Sequence, residues 1–162
     1  MLKLILRFKG GPGSGDFGHR GRPGQVGGSS SSTVLKNGMT AYHVTIKDNV
    51  ESIMKNGLRP ASEAGQGFST VEYDVDGVFV GNARQIKIMY NQLTDYIDPK
   101  DLVIFEAYIS KGTKIHKDPL IPESSLIVEG KISSRNLRLV DVQNMKDFPK
   151  FDNYLELFKK II

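Results

Sequence analysis

The sequence Thr-Ala-Tyr-His-Val-Thr-Ile-Lys-Asp-Asn-Val-Glu-Ser-Ile-Met-Lys-Asn-Gly-Leu-Arg-Pro, residues Thr40–Pro60, joins a strand pattern to a helix pattern. Ala41–Ile46 is rich in aromatic and β-branched residues, which predicts a strand. Side chains alternate along a strand, so His43 and Thr45 are expected to share one face. A polar pair on a strand that leads into a helix predicts one wall of a cleft.

A short helix is predicted directly after this strand. Asp48 and Glu51 have the spacing of a capping box. Gly57 provides a left-handed stop and Pro60 prevents continuation. Apolar residues then recur at helical spacing, at Val50, Ile53, Met54 and Leu58.

Composition limits the class of protein. The 162 residues suffice for one domain with a core, and they include no cysteine, which excludes disulfides, thiolate metal sites and cysteine nucleophiles. The net charge of +4 is mild and spread along the chain, so it permits an anionic partner without demanding one. No apolar run is long enough to cross a bilayer, and we expect no membrane partner.

The chain divides into an N-terminal segment with a glycine- and serine-rich linker, residues 1–33, and a globular domain, residues 34–162. Gly10–Ser32 contains almost nothing to bury, which predicts a flexible linker. Leu2–Phe8 is compatible with either a strand or a short helix.

The globular part predicts an α+β domain, with strands and helices mixed along the chain. The expected strands are a hairpin arm at Val34–Met39 that ends in an Asn37-Gly38 turn, then Gly77–Val80, Leu102–Ile109, Ser124–Val128 and Arg135–Val142. The expected helices are Ala83–Leu93, capped by Asn82, and the amphipathic Phe151–Ile162. Ala61–Asp76 is expected to be an exposed functional loop and Ile109–Pro119 an irregular excursion.

His43 is the main polar candidate for chemistry. The chain has no Walker motif, no dinucleotide-binding glycine motif and no serine hydrolase elbow. Its three histidines, His19, His43 and His116, lack a nearby carboxylate pattern, so no metal site is expected. A single histidine on a strand is by itself more often structural than catalytic.

A family resemblance favours a functional role for His43. The pattern Tyr-His-x-Thr, followed by Asn-x-x-Ser-Ile-x-x-x-Gly-Leu-x-Pro, resembles the opening of ADP-ribosyltransferase-like domains of the diphtheria-toxin, or H-Y-E, branch. The resemblance covers about residues 39–141 and implies a split β-sheet with flanking helices. It implies that His43 hydrogen-bonds the ribose next to nicotinamide, that Thr45 lines the same face, and that Val44 offers a backbone contact to the carboxamide.

The same resemblance assigns two further elements of an NAD site. Phe79 lies where the family has a tyrosine, and its ring can still stack on nicotinamide. Tyr90 is the candidate for a second stacking position; the alternative is that both rings are core aromatics, which is stronger for Phe79 alone than for the pair. The carboxylate that stabilises the cationic sugar is assigned to Glu123, slightly favoured, or Glu129, with Ser125 at the same position in an alternative alignment. Glu123 and Glu129 are expected to share one face by alternation if the strand has no bulge.

The glycine-rich tract has a resemblance of its own. Residues 10–29 resemble a tract of phage and prophage head-associated proteins, where it joins a particle-binding segment to a separate domain. Together the two resemblances imply a phage-encoded mono-ADP-ribosyltransferase that transfers ADP-ribose from NAD to a host protein or nucleic acid, with possible particle proteins as partners of the N-terminal segment. We expect a protein of the host-cell cytoplasm, or alternatively one associated with the virion. The alternatives are a non-catalytic head-associated binding module and an RNA 2′-phosphotransferase-like enzyme, for which no arginine-rich phosphate site is evident.

Overall fold

A mixed α+β domain is built on an antiparallel sheet, which holds seven strands within the described residues. The computed structural model describes residues 31–60, 63, 76–145 and 153–159. The strands are β1 Ser32–Val34, β2 Met39–Ile46, β3 Gly77–Gly81, β4 Leu102–Ile109, β5 Lys114–Lys117, β6 Ser125–Glu129 and β7 Leu137–Val140. Their spatial order is β1-β5-β6-β3-β2-β4-β7.

The sheet is unevenly held together across its width. β2 pairs with β4 along its whole length, from Met39↔Ile109 to Ile46↔Leu102. β3 pairs with β6 over all five of its residues. Between these two halves, β2 and β3 share a single register pair, Tyr42↔Gly81. We refer to this connection as the β2–β3 junction.

Two helices cover opposite faces of the sheet. The first, α1 Val50–Asn56, places Ile53 in the larger hydrophobic cluster, together with Ala41, Phe105 and Leu126. The second, α2 Ala83–Leu93, packs its buried side chains against Tyr42, Val44 and Ile104. β4 contributes Phe105 to one cluster and Ile104 to the other, so this strand is covered on both faces.

The caps of the helices explain where they end. Asn82 accepts a hydrogen bond from the Gln85 amide at 2.9 Å, which confirms the predicted cap of α2. Gly57 ends α1 with φ of 79°, as predicted. The predicted capping box is wrong, because a 3-10 turn at Lys47–Asn49 precedes α1 and its N-cap, Asn49, makes no side-chain capping bond.

The remaining local predictions are confirmed in part. β3, α2 and β4 lie where the sequence predicts them, and β6 is shifted by one residue. The strand predicted over Arg135–Val142 is shorter, because 3-10 turns at Ser134–Asn136 and Val142–Asn144 flank β7. Most of the predicted loop Ala61–Asp76 and of the N-terminal segment lies outside the described residues.

Three predictions are wrong, two of them because the strand pairing that decides them is distant in sequence. Val34–Met39 does not form a hairpin arm, since β1 pairs with β5 through Ser32↔His116, and Gly38 lacks the positive φ of a tight hairpin turn. The stretch Ile109–Pro119 is not irregular, because it contains β5. The described part of the predicted terminal helix is a 3-10 turn at Tyr154–Phe158.

Within the described residues, no helix has both the length and the apolar character to cross a membrane.

Candidate functional site

His43 lies at the β2–β3 junction and bridges the two strands with its ring. Its Nδ1 is 2.8 Å from the backbone oxygen of Phe79. A carbonyl oxygen only accepts hydrogen bonds, so Nδ1 carries the proton and donates it. The side chain therefore replaces a backbone hydrogen bond at the point where the β2–β3 ladder stops after one pair.

The ring of His43 is held in its neutral form. Burial lowers the pKa of His43 from its ordinary value of 6.5, and the hydrogen bond to Phe79 opposes this only in part. In a neutral ring protonated on Nδ1, Nε2 is a hydrogen-bond acceptor. No partner for Nε2 is present among the described residues, so this atom can accept a hydrogen bond from a ligand hydroxyl.

Thr45 lies on the same face of β2 as His43, but its side chain makes a local structural contact. Its Oγ1 accepts a hydrogen bond at 2.9 Å from Nδ2 of Asn49, the residue that precedes α1. The side chain is 5% exposed. Thr45 thus links the strand that carries His43 to the start of the following helix.

The aromatic candidates lie on the two elements next to His43. Phe79 is partly buried in the middle of β3 and is paired with Ile127 of β6. Tyr90 is partly buried on α2 and packs against the cluster that contains Tyr42 and Val44. Phe79 is thus in contact with His43 through its backbone, whereas Tyr90 has a clear role in the core.

Glu123 does not lie on a strand. It is exposed in the turn before β6, and its backbone oxygen accepts a hydrogen bond from the Tyr154 amide at 2.8 Å. The expectation that Glu123 and Glu129 share one strand face is therefore wrong.

Glu129 is the last residue of β6 and is held by residues of β5. Its Oε2 lies 2.7 Å from Nε2 of His116 and 3.7 Å from Nζ of Lys114. The hydrogen bond from His116 lowers the pKa of Glu129, and the positive charge of Lys114 acts in the same direction. Glu129 is one diagonal step from Phe79, about 7–8 Å by sheet geometry.

The register separates Glu129 from the junction where His43 lies. Glu129 is paired with Gly77, whereas the junction is at Gly81, four residues further along β3. At about 3.3 Å per residue, this offset is roughly 13 Å. The His43 ring bonds the Phe79 carbonyl, two residues nearer to Glu129 along β3 than the junction. The Glu129 carboxylate is engaged by its two partners on β5.

Ser125 occupies the position on β6 next to the junction. Tyr42, Gly81 and Ser125 form one continuous row across three strands. Ser125 is buried and donates a hydrogen bond to the Val80 backbone oxygen at 3.2 Å. Ser125 thus takes the β6 position level with the junction, but on the face of the sheet that carries Tyr42 and not on the face that carries His43.

His116 is a residue that the sequence interpretation missed. It is 7% exposed, and its Nδ1 is buried without a partner in the described part of the chain. The sequence signal for His116 was the Lys-Ile-His-Lys pattern of residues 114–117, in which Ile115 is fully buried. His116 could have been recognised from this pattern only if β5 had been predicted.

Comparisons with known proteins identify no relative. No family model matches the chain, and neither the curated proteins nor the solved structures contain a significant match. Among the described residues, no group of three or more potential ligand side chains could hold a metal ion. The site's chemistry therefore has to be argued from its own geometry.

Proposed function

We propose that this chain is an ADP-ribosyltransferase-like protein that binds NAD at the β2–β3 junction and transfers ADP-ribose to a macromolecule of a bacterial host. The observation that carries the proposal is His43, whose ring bridges β2 and β3 next to their single register pair and whose acceptor atom Nε2 has no partner among the described residues. A ribose has hydroxyl donors that suit such an acceptor.

The form of the sheet supports the proposal. The resemblance in sequence implies a split sheet, and the described sheet has one register pair at its centre against eight and five in the neighbouring halves. The strand that carries His43 adjoins the strand that carries Phe79, and α2 with Tyr90 begins directly after the latter. This is the order of elements that the resemblance calls for.

The proposed residues divide the work of binding and transfer. Nε2 of His43 accepts a hydrogen bond from the ribose, which fixes the sugar. Phe79, with Tyr90 as the second ring, provides an aromatic surface on which nicotinamide stacks. Departure of nicotinamide leaves positive charge on the sugar, and a nearby anion or oriented dipole lowers the energy of that state.

A second candidate function follows from the position of the glutamates. Glu123 lies in a turn, Glu129 is held by His116, and Ser125 lies level with the junction. This arrangement favours a head-associated module that binds NAD or a related nucleotide without transferring ADP-ribose.

Binding is tested first, by the NAD dependence of thermal unfolding. A ligand at one hundred times its Kd adds about 2.7 kcal/mol to the free energy of unfolding. We expect His43→Ala and Phe79→Leu to abolish most of the shift. Tyr96→Leu is the matched control, because Tyr96 is 74% exposed on the loop after α2. No shift with millimolar NAD, or equal shifts in all three variants, would refute the proposed binding site.

Transfer is tested separately, with labelled NAD and a bacterial lysate. The transferase proposal expects labelled product with the wild-type chain and none with His43→Ala. Glu123→Gln, Glu129→Gln and Ser125→Ala then identify the group that supports the cationic sugar. Thermal stabilisation by NAD without any labelled product establishes the binding module instead.

A further inference from the structure

A groove lies at the far edge of the sheet, next to β7. It has a volume of about 500 Å³. Its lining combines apolar and polar side chains from α2, β4, β7 and the turns beside them: Tyr90, Pro99, Leu102, Val103, Ile104, Leu139, Val140, Asp141, Val142 and Gln143. β7 is the last strand in the order of the described sheet, and Leu139 on it is 49% exposed. A short edge strand with an exposed leucine is a surface on which an extended segment can dock.

The rim of this groove is acidic. Asp141 lines it, and the exposed Asp98 and Asp101 flank the lining residue Pro99 and its 3-10 turn. Lys100 lies between them and pairs with Asp98 at 3.8 Å, so these two charges offset each other. The remaining carboxylates of the rim are Asp101 and Asp141. The groove therefore favours an occupant that is both apolar and basic.

The first nine residues of the chain have this chemistry. In Met1-Leu-Lys-Leu-Ile-Leu-Arg-Phe-Lys9 the even positions from 2 to 8 are all apolar, and the odd positions include Lys3, Arg7 and Lys9. The segment contains no acidic residue. In extended form it presents an apolar row on one side and positive charges on the other.

The distance across the molecule suits docking within one chain. Seven strands span six spacings of about 4.8 Å, so roughly 29 Å separate β1 from β7. A glycine-rich chain of the 22 residues between Lys9 and Ser32 has a root-mean-square length of roughly 23–28 Å. A linker that matches its span gives a millimolar effective concentration, so a segment with only millimolar affinity occupies the groove in about half of the molecules.

We propose that residues 2–8 dock in extended form along β7, in the groove lined by Leu139 and Asp141. The apolar side chains of the segment contact the groove, and Lys3 and Arg7 pair with the aspartates of the rim. The proposal does not depend on the enzymatic function, because the groove is centred on β7 and shares only Tyr90 with the residues proposed to bind NAD.

The chain's lack of cysteine allows a direct test on the full-length protein. A spin label on Ile5→Cys broadens the amide signals of residues close to it. We expect broadening at Leu139–Gln143 and around Pro99, and none at β5 on the other side of the sheet. Lys3→Glu and Asp141→Lys should each weaken docking by up to about fivefold, the value of one exposed ion pair, which lowers the docked fraction from about one half to about one sixth and the broadening by about threefold. The two changes together should restore the broadening.

Glu51→Lys is the matched control for Asp141→Lys, since Glu51 is exposed on α1 and the change in net charge is the same. The same spectra show whether each variant is folded. Equal broadening in Asp141→Lys and Glu51→Lys, or no broadening near β7, would overturn the proposal. A mixture of spin-labelled chain and isotope-labelled wild type distinguishes docking between copies, which would also contradict docking within one chain.

Discussion

At the level of individual residues, the His43 ring adds a side-chain hydrogen bond to the connection between the two halves of the sheet. His43 donates from Nδ1 to the Phe79 carbonyl, beside the one register pair that connects β2 to β3. The same bond fixes the tautomer and leaves Nε2 as an acceptor. Structure and proposed function therefore place opposite demands on the two nitrogens, and only the Nδ1–H form satisfies both.

The lowered pKa of His43 predicts how stability depends on pH. Above pH 6.5 the ring is neutral in both folded and unfolded chains, so the contribution of His43 is fully present. As the pH falls below 6.5, the unfolded chain binds the proton first and stability is lost, until the folded ring is protonated too. The free energy of unfolding should therefore fall more steeply from pH 7 to pH 5 in wild type than in His43→Asn. Asparagine does not titrate and can still donate to Phe79, so parallel pH profiles would contradict the neutral ring.

Gly57 is a residue whose replacement should be costly for two reasons. Its φ is 79°, and a Cβ there would clash with the backbone oxygen of Ile132, which pairs with Leu58 in an isolated bridge. Gly112 has a similar φ of 88° but open space around it. Gly112→Ala should cost about 1–2 kcal/mol for the left-handed backbone alone. Gly57→Ala should cost clearly more in urea unfolding, and equal losses would show that the bridge adjusts freely.

At the level of elements, the sequence predicted best those helices and strands whose bounds are set by local signals. The bounds of α2 were predicted correctly because Asn82 caps its start and apolar residues recur at helical spacing up to Leu93. β5 was missed because its single buried isoleucine, Ile115, gives a weak local pattern and its pairing with β1 and β6 spans distant sequence. The error at β5 also hid His116 and with it the partner of Glu129.

The cap of α2 gives a prediction at this level. The Asn82 side chain satisfies the Gln85 amide, one of the free donors at the start of the helix. Asn82→Ala should reduce the free energy of unfolding by about 1 kcal/mol, as measured by chemical denaturation. Asn82→Asp keeps the accepting oxygen and should recover most of the loss. An alanine variant as stable as wild type would indicate that packing alone sets the start of α2.

At the level of the whole molecule, the proposed site depends on how two well-paired halves of a sheet meet. The sequence placed His43 and Phe79 on two strands, and the structure brings them into contact. The sequence alone could not show where the glutamates lie, because a register shift of one or two residues decides which side chain of β6 lies next to the junction. Ser125 lies next to it in the structure, and Glu129 is four residues away.

The C-terminal turn completes the core on the side of α1, and Tyr154 is its anchor. Tyr154 is fully buried in the larger cluster, and its amide bonds to the Glu123 backbone oxygen. Its hydroxyl has no hydrogen-bond partner in the described part of the chain, and burial raises the pKa of Tyr154. The ring therefore stabilises the fold while the hydroxyl costs free energy.

Two substitutions at Tyr154 should consequently have opposite effects on the free energy of unfolding. Tyr154→Ala leaves a large cavity and should cost about 3–5 kcal/mol. Tyr154→Phe removes only the unpaired hydroxyl and should stabilise the protein by about 1 kcal/mol. Tyr42→Phe is the matched control, because the Tyr42 hydroxyl has Glu106 as a partner at 3.5 Å, so the same change should be destabilising there. If Tyr154→Phe also lost stability, a partner for the buried hydroxyl would have to exist in solution.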